Sequence, residues 1–323
     1  MACCNAINAR STRQAWADNR KYQALNEKDT DKRLRGEMRH QEPMAKHTSW
    51  RAGGPADDFY IPADLDDLKL FLRTLPVQRR CLWLGLGSNL LVRDGGFRGV
   101  VICVTGVLAQ LTMSTPGTVT AGAGVTCARL ARFAADAGYG GLEFLASIPG
   151  TFGGALAMNA GAFGGETWDF VSHAQTLDQS GIVRNRSREE LRVGYRHVEL
   201  PENEWFIAGE LHLQATDATT ARNRIRTLLA QRSASQPTGA SSCGSVFRNP
   251  EGDYAGRLIE ACGLKGHRIG RASVSTKHAN FIINEGGASA GDIEALIRHL
   301  QRVVFEQHGV RLVPEVRITG EAA

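Results

Sequence analysis

The sequence predicts an α+β protein of about two domains. The chain has 323 residues, which suits two domains of ~150 residues each. Apolar residues make up 42% of it, enough to build hydrophobic cores. After residue 217, helical and strand-like runs are mixed, which favours α+β over a single class of element. The formal net charge of +5 is too modest to indicate a nucleic-acid-binding protein.

Three parts of the chain differ in composition and sequence pattern. Residues 1–45 are polar and highly charged, and we expect them to form a poorly ordered extension. A first domain of two subdomains is predicted at 46–215. A smaller α+β domain is predicted at 216–323, and its last strand is a candidate to return to the first domain.

Periodicity places the elements along the chain. Helical spacing of apolar residues predicts helices at 64–75, 127–138, 220–232, 254–262 and 290–308. In the arginine-rich run 221–232, Ile225, Leu228 and Leu229 should face inward and the arginines should face solvent. Apolar runs predict strands at 81–92, 99–104, 118–125, 279–286 and 310–318. The last of these contains Pro314 and should lie at an edge or bend.

Two glycine-rich loops adjoin predicted strands. Residues 85–91 read GLGSNLL, where glycine allows backbone N–H groups to turn toward one point and bind phosphate oxygens. A tight turn in a β domain would read the same way. Residues 138–166 carry nine glycines among small and apolar side chains, unlike a Gly/Ser linker. Together the loops predict a dinucleotide ligand with a pyrophosphate.

Cysteine usage excludes two kinds of site. The seven cysteines form no Cys-x-x-Cys pair, so we expect neither a metal site nor a disulfide framework, and a reduced cytoplasm fits best. No apolar run approaches ~18 residues, so membrane insertion is not expected. The segment 242–250, SCGSVFRNP, offers Cys243, Ser242 and Ser245 as reactive groups. Turn chemistry before Asn249 would also explain its serines.

Six motifs, in order from His47 to Ile318, resemble one known family. They are LGLGSNLLVRDGGFRGVVI, GLEFLASIPGTFGGALAMNAGAFG, GYRHVEL, CGSVFRNP, KHANFIIN and VPEVRI. The chain resembles the UDP-N-acetylenolpyruvoylglucosamine reductases of peptidoglycan synthesis. Arg196 and Ser245 lie close in sequence, so it resembles the shorter form, which lacks an inserted segment with a substrate-binding Tyr.

The resemblance implies the fold and the ligands. It implies an FAD-binding domain of the vanillyl-alcohol-oxidase (PCMH) type, followed by a smaller α+β substrate-binding domain. NADPH would reduce a non-covalently bound FAD, which would pass hydride to C3 of an enolpyruvyl ether. The product would be UDP-N-acetylmuramate, and neither a nucleic acid nor a metal is implied.

The resemblance also implies site residues. The catalytic Arg falls on Arg196, the proton-donating Ser on Ser245 and the catalytic Glu on Glu315. Substrate contacts fall on Asn249 and, with weaker support, Arg317. FAD contacts are expected at Gly85, Leu86, Gly87, Ser88, Asn89, Leu90, Ser147, Ile148, Gly150, Gly153, Gly154, Asn159 and Gly161. It assigns no role to Cys243.

Two other functions are compatible with parts of the sequence pattern. A flavin oxidase of the same fold would use oxygen, and many such enzymes attach FAD to a His, whereas no His lies near either glycine loop in the sequence. A nucleotide-binding module without activity would not need Arg196, Ser245 and Glu315 together.

Overall fold

The computed structural model describes residues 33–323, so the predictions for residues 1–32 lie outside the described part. Its helices, in chain order, are α1 (Leu65–Thr74), α2 (Cys127–Asp136), α3 (Phe152–Met158), α4 (Ala218–Ser235), α5 (Ala255–Ala261) and α6 (Ala290–His308). Its strands are β1 (Glu37–Pro43), β2 (Pro55–Ile61), β3 (Cys81–Leu84), β4 (Leu90–Val92), β5 (Phe97–Cys103), β6 (Leu111–Thr115), β7 (Thr118–Gly122), β8 (Tyr139–Gly140), β9 (Gly161–Ala162), β10 (Gly165–Glu166), β11 (Val171–Asp178), β12 (Val183–Ser187), β13 (Arg192–Gly194), β14 (His197–Glu199), β15 (Glu204–His212), β16 (Gln214–Ala215), β17 (Arg268–Ile269), β18 (Ala272–Val274), β19 (Ile282–Asn284) and β20 (Arg317–Thr319).

The first sheet has the strand order β1-β2-β5-β3. Helix α1 covers it with the apolar face of Leu68, Phe71 and Leu72, and Asp64 caps the helix by accepting from the Asp67 N–H at 2.9 Å. Strand β3 runs parallel to β5 and ends where the glycine loop 85–89 begins. The sheet therefore presents that loop at the carboxyl end of a strand.

Strand β1 corrects the predicted extension. Residues 37–43 pair antiparallel with β2, and Met44, which follows, is fully buried. The prediction for 1–45 is therefore wrong for residues 37–45. Most side chains of β1 are exposed because it is an edge strand, so backbone hydrogen bonds hold it where apolar content is low.

The second sheet has the order β12-β11-β15-β7-β6 and packs against helices α2, α3 and α4. Helix α4 buries Ala221, Ile225 and Leu228 in the same core as residues of β7 and β15. The predicted domain boundary at 215/216 is therefore wrong, since this helix belongs to the core of the second sheet. Its apolar stripe was read correctly, but sequence alone did not say which core the stripe joins.

The C-terminal unit consists of β17-β18-β19 with helices α5 and α6. Trp50 and Leu91, from the first sheet's side of the chain, lie in its core, and the Trp50 indole N–H donates to the Ile282 carbonyl at 2.8 Å. Strand β20 pairs in parallel with β4. These contacts place the 243–249 segment and Glu315 beside the first glycine loop.

The predicted strand at 310–318 is shortened by Pro314. Only 317–319 form a strand, and Pro314 makes a single bridge to Phe247. By contrast, helix α6 has the predicted bounds, 290–308, with Ser289 and Asp292 forming the capping box. Within residues 33–323, no helix has both the length and the apolar character needed to cross a bilayer.

Candidate active site

A cavity of about 380 Å³ is lined by residues near the first sheet, near the second sheet and from the C-terminal unit. Both glycine loops line it, together with Tyr195, Arg196, the 243–249 segment, Glu315 and Arg317. All six sequence motifs contribute residues to its lining, so distant parts of the chain converge here. Its apolar and polar walls suit a large organic ligand with a charged part.

The first glycine loop has a backbone that only glycine fits. Gly87 has φ +61°, and a Cβ there would lie 1.9 Å from the His47 carbonyl oxygen. A Cβ on Gly85 would lie 2.5 Å from the Thr151 hydroxyl oxygen. The backbone N–H groups of residues 85–89 have no hydrogen-bond acceptor within residues 33–323. Five consecutive donors without protein acceptors form a backbone site that suits phosphate oxygens.

Substituting Gly87 by Ala should weaken binding of the FAD that the sequence resemblance implies. The added Cβ would displace the loop from His47, in addition to the ~1–3 kcal/mol of strain for a residue held at positive φ. We expect a purified Gly87→Ala protein with far less bound flavin, measured as visible absorbance per polypeptide. Gly106→Ala is the matched control, because Gly106 has φ +80° but open space around its Cβ. Equal flavin loss in both variants would contradict the assigned role of the loop.

His47 lies closer to this loop than its sequence position suggests. Its carbonyl oxygen packs on Gly87. Its ring, however, stacks on Phe59 at 4.3 Å, and its Nε2 lies 2.9 Å from Glu42. The ring is therefore held on the protein side of the loop.

The second glycine loop leads into helix α3. Thr151, at the N-cap, accepts weakly from the Gly154 N–H at 3.5 Å. Ser147, Ile148, Gly150, Gly154 and Gly161 line the cavity, as expected.

Two of the expected contacts in this loop do not line the cavity. A Cβ on Gly153 would lie 2.7 Å from that of Ala123, so this glycine allows the helix to pack on the second sheet. Asn159 ends the helix in a left-handed conformation, with φ 41°. Its amide donates to Glu166 at 2.7 Å and to the Gly194 carbonyl at 3.2 Å. Both residues support the loop from behind.

Arg196 is held rigidly at the cavity wall. It follows β13 with φ 54°, and its guanidinium donates to the Gly161 carbonyl at 2.6 Å. Its Nε lies 3.5 Å from Glu315 Oε1, and its Nη1 lies 3.6 Å from Glu166 Oε1. The guanidinium also stacks on the Tyr195 ring at 4.8 Å. These contacts fix a permanent cation before any ligand arrives.

Glu315 lies beside Arg196 at the cavity wall. Its backbone N–H donates to the Val246 carbonyl at 2.7 Å, which ties it to the segment that carries Ser245. Burial raises the pKa of the Glu315 carboxyl, and the charges of Arg196 and then Arg248 oppose that shift. The carboxyl can therefore exchange a proton nearer to neutral pH than an exposed Glu.

The 243–249 segment separates its thiol from its hydroxyl. Cys243 is 5% exposed and donates to the Leu90 carbonyl at 3.5 Å. Burial raises the pKa of its thiol to about 12, so it is not a thiolate at neutral pH. Gly244, at φ +74°, turns the chain between Cys243 and Ser245. Ser245 lines the cavity, and its hydroxyl has no hydrogen-bond partner within the described residues.

Comparison with known proteins identifies the family. Residues 236–319 match the C-terminal domain of UDP-N-acetylenolpyruvoylglucosamine reductase, and residues 56–186 match an FAD-binding domain. UDP-N-acetylenolpyruvoylglucosamine reductase from Methylococcus capsulatus is 58% identical over 288 residues, which cover 89% of this chain and 95% of the relative. The chain belongs to the UDP-N-acetylenolpyruvoylglucosamine reductase family.

Other relatives agree. The reductase from Alkalilimnicola ehrlichii is 58% identical over 287 residues, covering 89% of this chain and 96% of its own. The crystal structure of the reductase from Thermus caldophilus matches with a TM-score of 0.76 and 33% identity, covering 88% of this chain and 99% of that one. The predicted family, the α+β fold with an FAD-binding domain, and the class of FAD-containing oxidoreductase are confirmed.

The geometry fits the cofactor of this reductase family. The unsatisfied N–H groups at 85–89 would hold the FAD pyrophosphate, and the small residues of the second loop leave room for its rings. Leu86, Ser88, Asn89 and Leu90 line the cavity as expected. Asn89 also donates to the Glu315 carbonyl at 3.0 Å, which links the first glycine loop to the segment that carries Glu315.

Both expected substrate contacts reach the cavity of the reductase. Asn249 uses its Oδ1 to accept from the Ala255 N–H at 3.2 Å, which leaves its amide N–H groups for a ligand. Arg317 lies two residues beyond Glu315 and has no ion-pair partner among the described residues. Neighbouring protein atoms at the cavity wall lower the pKa of its guanidinium by partial desolvation, although the residue as a whole is exposed.

Sequence reasoning missed several residues of the cavity wall. The most informative is Arg232, in the last turn of α4, which was expected in solvent. Its Nε donates to Gln236 Oε1 at 3.1 Å, and burial lowers the pKa of its guanidinium. The available signal that Arg232 could reach the cavity was its position at the end of the helix, just before the matched C-terminal domain. Thr151, Tyr195, Gln236 and Phe281 were also missed.

Proposed function

We propose that this protein reduces UDP-N-acetylenolpyruvoylglucosamine to UDP-N-acetylmuramate with NADPH, in peptidoglycan precursor synthesis. The observation that carries the proposal is the meeting of Arg196, Glu315 and Ser245 at one cavity, from three different segments of the chain. Family membership supports the substrate class. NADPH and UDP-sugars are cytoplasmic metabolites, so the proposed location is the bacterial cytoplasm.

The two glycine loops would hold FAD without a covalent link, and the bound cofactor would supply to C3 of the enolpyruvyl group the hydride that NADPH provides. Addition at C3 puts negative charge on C2, which spreads into the adjacent carboxylate. Arg196 provides fixed positive charge and paired donors for that carboxylate. Because its guanidinium is already tied to Gly161, little reorganisation is needed as the charge grows.

Ser245 is proposed to give C2 its proton. A hydroxyl is a weak acid, but the carbon that accepts the proton is strongly basic, so a positioned weak donor is sufficient. The hydroxyl has no competing partner within residues 33–323, so it is free to point at a substrate. Glu315 lies beside the same carboxylate site and is proposed to polarise the enolate or orient Ser245.

The diphosphate of the substrate needs cationic and amide donors at the edge of the site. Asn249 and Arg317 are proposed to supply them, because both line the cavity with donors that the protein does not use. Arg317 brings a guanidinium, which suits phosphate oxygens.

Turnover under two conditions tests the proposal. Under anaerobic conditions, we expect NADPH oxidation that depends on UDP-N-acetylenolpyruvoylglucosamine and yields one UDP-N-acetylmuramate per NADPH. In air, oxygen uptake should stay low compared with substrate-dependent NADPH oxidation. Rapid oxygen uptake with no effect of the enolpyruvyl substrate would instead favour an oxidase. No turnover with either would favour a nucleotide-binding module.

A further inference from the structure

Arg248 lies next to the catalytic segment but outside the cavity wall. Phe247 bridges Pro314 in antiparallel register. The Arg248 N–H donates to the Val313 carbonyl at 2.9 Å, and the Glu315 N–H donates to the Val246 carbonyl at 2.7 Å. In this register Arg248 stands opposite Val313, so Arg248 and Glu315 share a face as diagonal neighbours. Long side chains reach each other across such a diagonal.

The Arg248 side chain has an unused donor. Its Nε is fully buried and finds no acceptor within residues 33–323. A buried guanidinium N–H without an acceptor is costly, and a native structure rarely keeps one without a use. Arg248 forms no ion pair with a carboxylate of the described residues, and the carboxylate of its diagonal neighbour Glu315 lies against Arg196.

Substrate binding changes the charges around Glu315. In the proposed function the substrate carboxylate takes Arg196, which is now 3.5 Å from Glu315. Two carboxylates would then share one cation, and like charges at such a distance disfavour each other. Glu166 already lies on the far side of the same guanidinium, at 3.6 Å. Arg317, two residues beyond Glu315, is also a cation, but it lines the cavity and is proposed to bind the substrate diphosphate.

We propose that Arg248 is a positioning residue for the reaction: a second counter-charge that holds the Glu315 carboxylate in place when the substrate occupies Arg196. The proposal rests on the proposed role of Arg196 as the site of the substrate carboxylate. In that state the Glu315 carboxylate offers the buried Nε an acceptor, and Arg248 offers Glu315 a new partner. Burial raises the pKa of Glu315, and Arg196 and Arg248 are the cations that oppose this rise.

The test measures the titration of Glu315 in the FAD-loaded protein, first alone and then with UDP-N-acetylmuramate, whose carboxylate would occupy Arg196. Side-chain carboxyl NMR with isotope-labelled glutamate follows the resonance that is missing in Glu315→Gln. Arg248→Met should move this titration to higher pH by about one unit, the low end of the effect of a nearby opposite charge. Arg248→Lys should restore most of it. Bound flavin, measured in each variant, separates this effect from loss of the fold.

Kinetics give a second readout. The pH profile of flavin reoxidation by the enolpyruvyl substrate should show the same displaced limb in Arg248→Met, with NADPH-dependent reduction unchanged. In the Glu315→Gln background the Arg248→Met substitution should move nothing further. An unmoved titration in Arg248→Met, or an equal shift without Glu315, would overturn the proposal. A wild-type protein that does not turn over the substrate would sink the proposed function instead, while the NMR titration would still decide whether Arg248 acts on Glu315.

Discussion

Ser245→Ala is expected to separate the two half-reactions. Reduction of the bound FAD by NADPH needs no proton at the substrate C2, so it should proceed at a near-normal rate. Reoxidation by UDP-N-acetylenolpyruvoylglucosamine needs that proton, and its rate should fall by ~10²–10⁴-fold, the range for loss of a general acid. Rapid-mixing absorbance of the flavin measures both steps separately.

Ser242→Ala is the matched control for this substitution. Ser242 lies three residues away and does not line the cavity, so the same loss of a hydroxyl there should slow neither step. Cys243→Ser tests the neighbouring thiol, which is buried and protonated, and should also turn over normally. Normal reoxidation of Ser245→Ala, or a large defect in Cys243→Ser, would reverse the assignment within this loop.

Arg196→Met should have an effect of similar size on the same half-reaction. Removing one preorganised donor to a developing anion typically costs ~10²–10³-fold in rate. Here the substitution removes a permanent charge as well as two donors, so we expect at least that loss in reoxidation by the enolpyruvyl substrate. Reduction by NADPH should change little. Arg196→Lys keeps the charge without the paired donors, and its rate should lie between wild type and Arg196→Met.

Arg192→Met controls for loss of an arginine from the same hairpin. Arg192 is on β13, with 88% of its side chain exposed, and pairs with Glu199 at the surface. Such an exposed pair contributes little, so this variant should keep both half-reactions. If Arg196→Met retains flavin yet reoxidises normally, Arg196 does not bind the substrate carboxylate.

Local patterns in the sequence predicted local structure well. The capping box at Ser289 and the apolar stripe of α6 predicted that helix to the residue, because both signals act within a few turns. The first glycine loop was predicted for the reason the structure gives, since Gly87 needs a positive φ and cannot carry a Cβ. In both cases the deciding contacts are short in sequence or dictated by residue type.

Assembly of distant segments could not be predicted from these patterns. Helical periodicity correctly found that Ile225 and Leu228 are buried, but not that Arg232 on the same helix extends into the cavity. A long side chain can bury its stem and place its head far from the helix axis. Gly153 and Asn159, which were expected as cofactor contacts, do not line the cavity, because the motif contains residues that support the loop as well as residues that line it.

The proposed catalytic arrangement depends on the same long-range assembly. Arg196 and Glu315 are far apart in sequence, and only the packing of the C-terminal unit on the first sheet brings them to 3.5 Å. Motif resemblance supplied both residues, but not their contact or the buried Arg248 beside them. The edge strand β1 escaped notice because its composition is that of a solvated segment.

A single turnover without NADPH tests the central claim most directly. The FAD-loaded protein is reduced chemically under anaerobic conditions and mixed with one equivalent of UDP-N-acetylenolpyruvoylglucosamine. The account predicts full return of the oxidised flavin spectrum and one equivalent of UDP-N-acetylmuramate per bound flavin, identified by mass spectrometry. A flavin that stays reduced in the presence of this substrate, yet is reoxidised when oxygen is admitted, would contradict it.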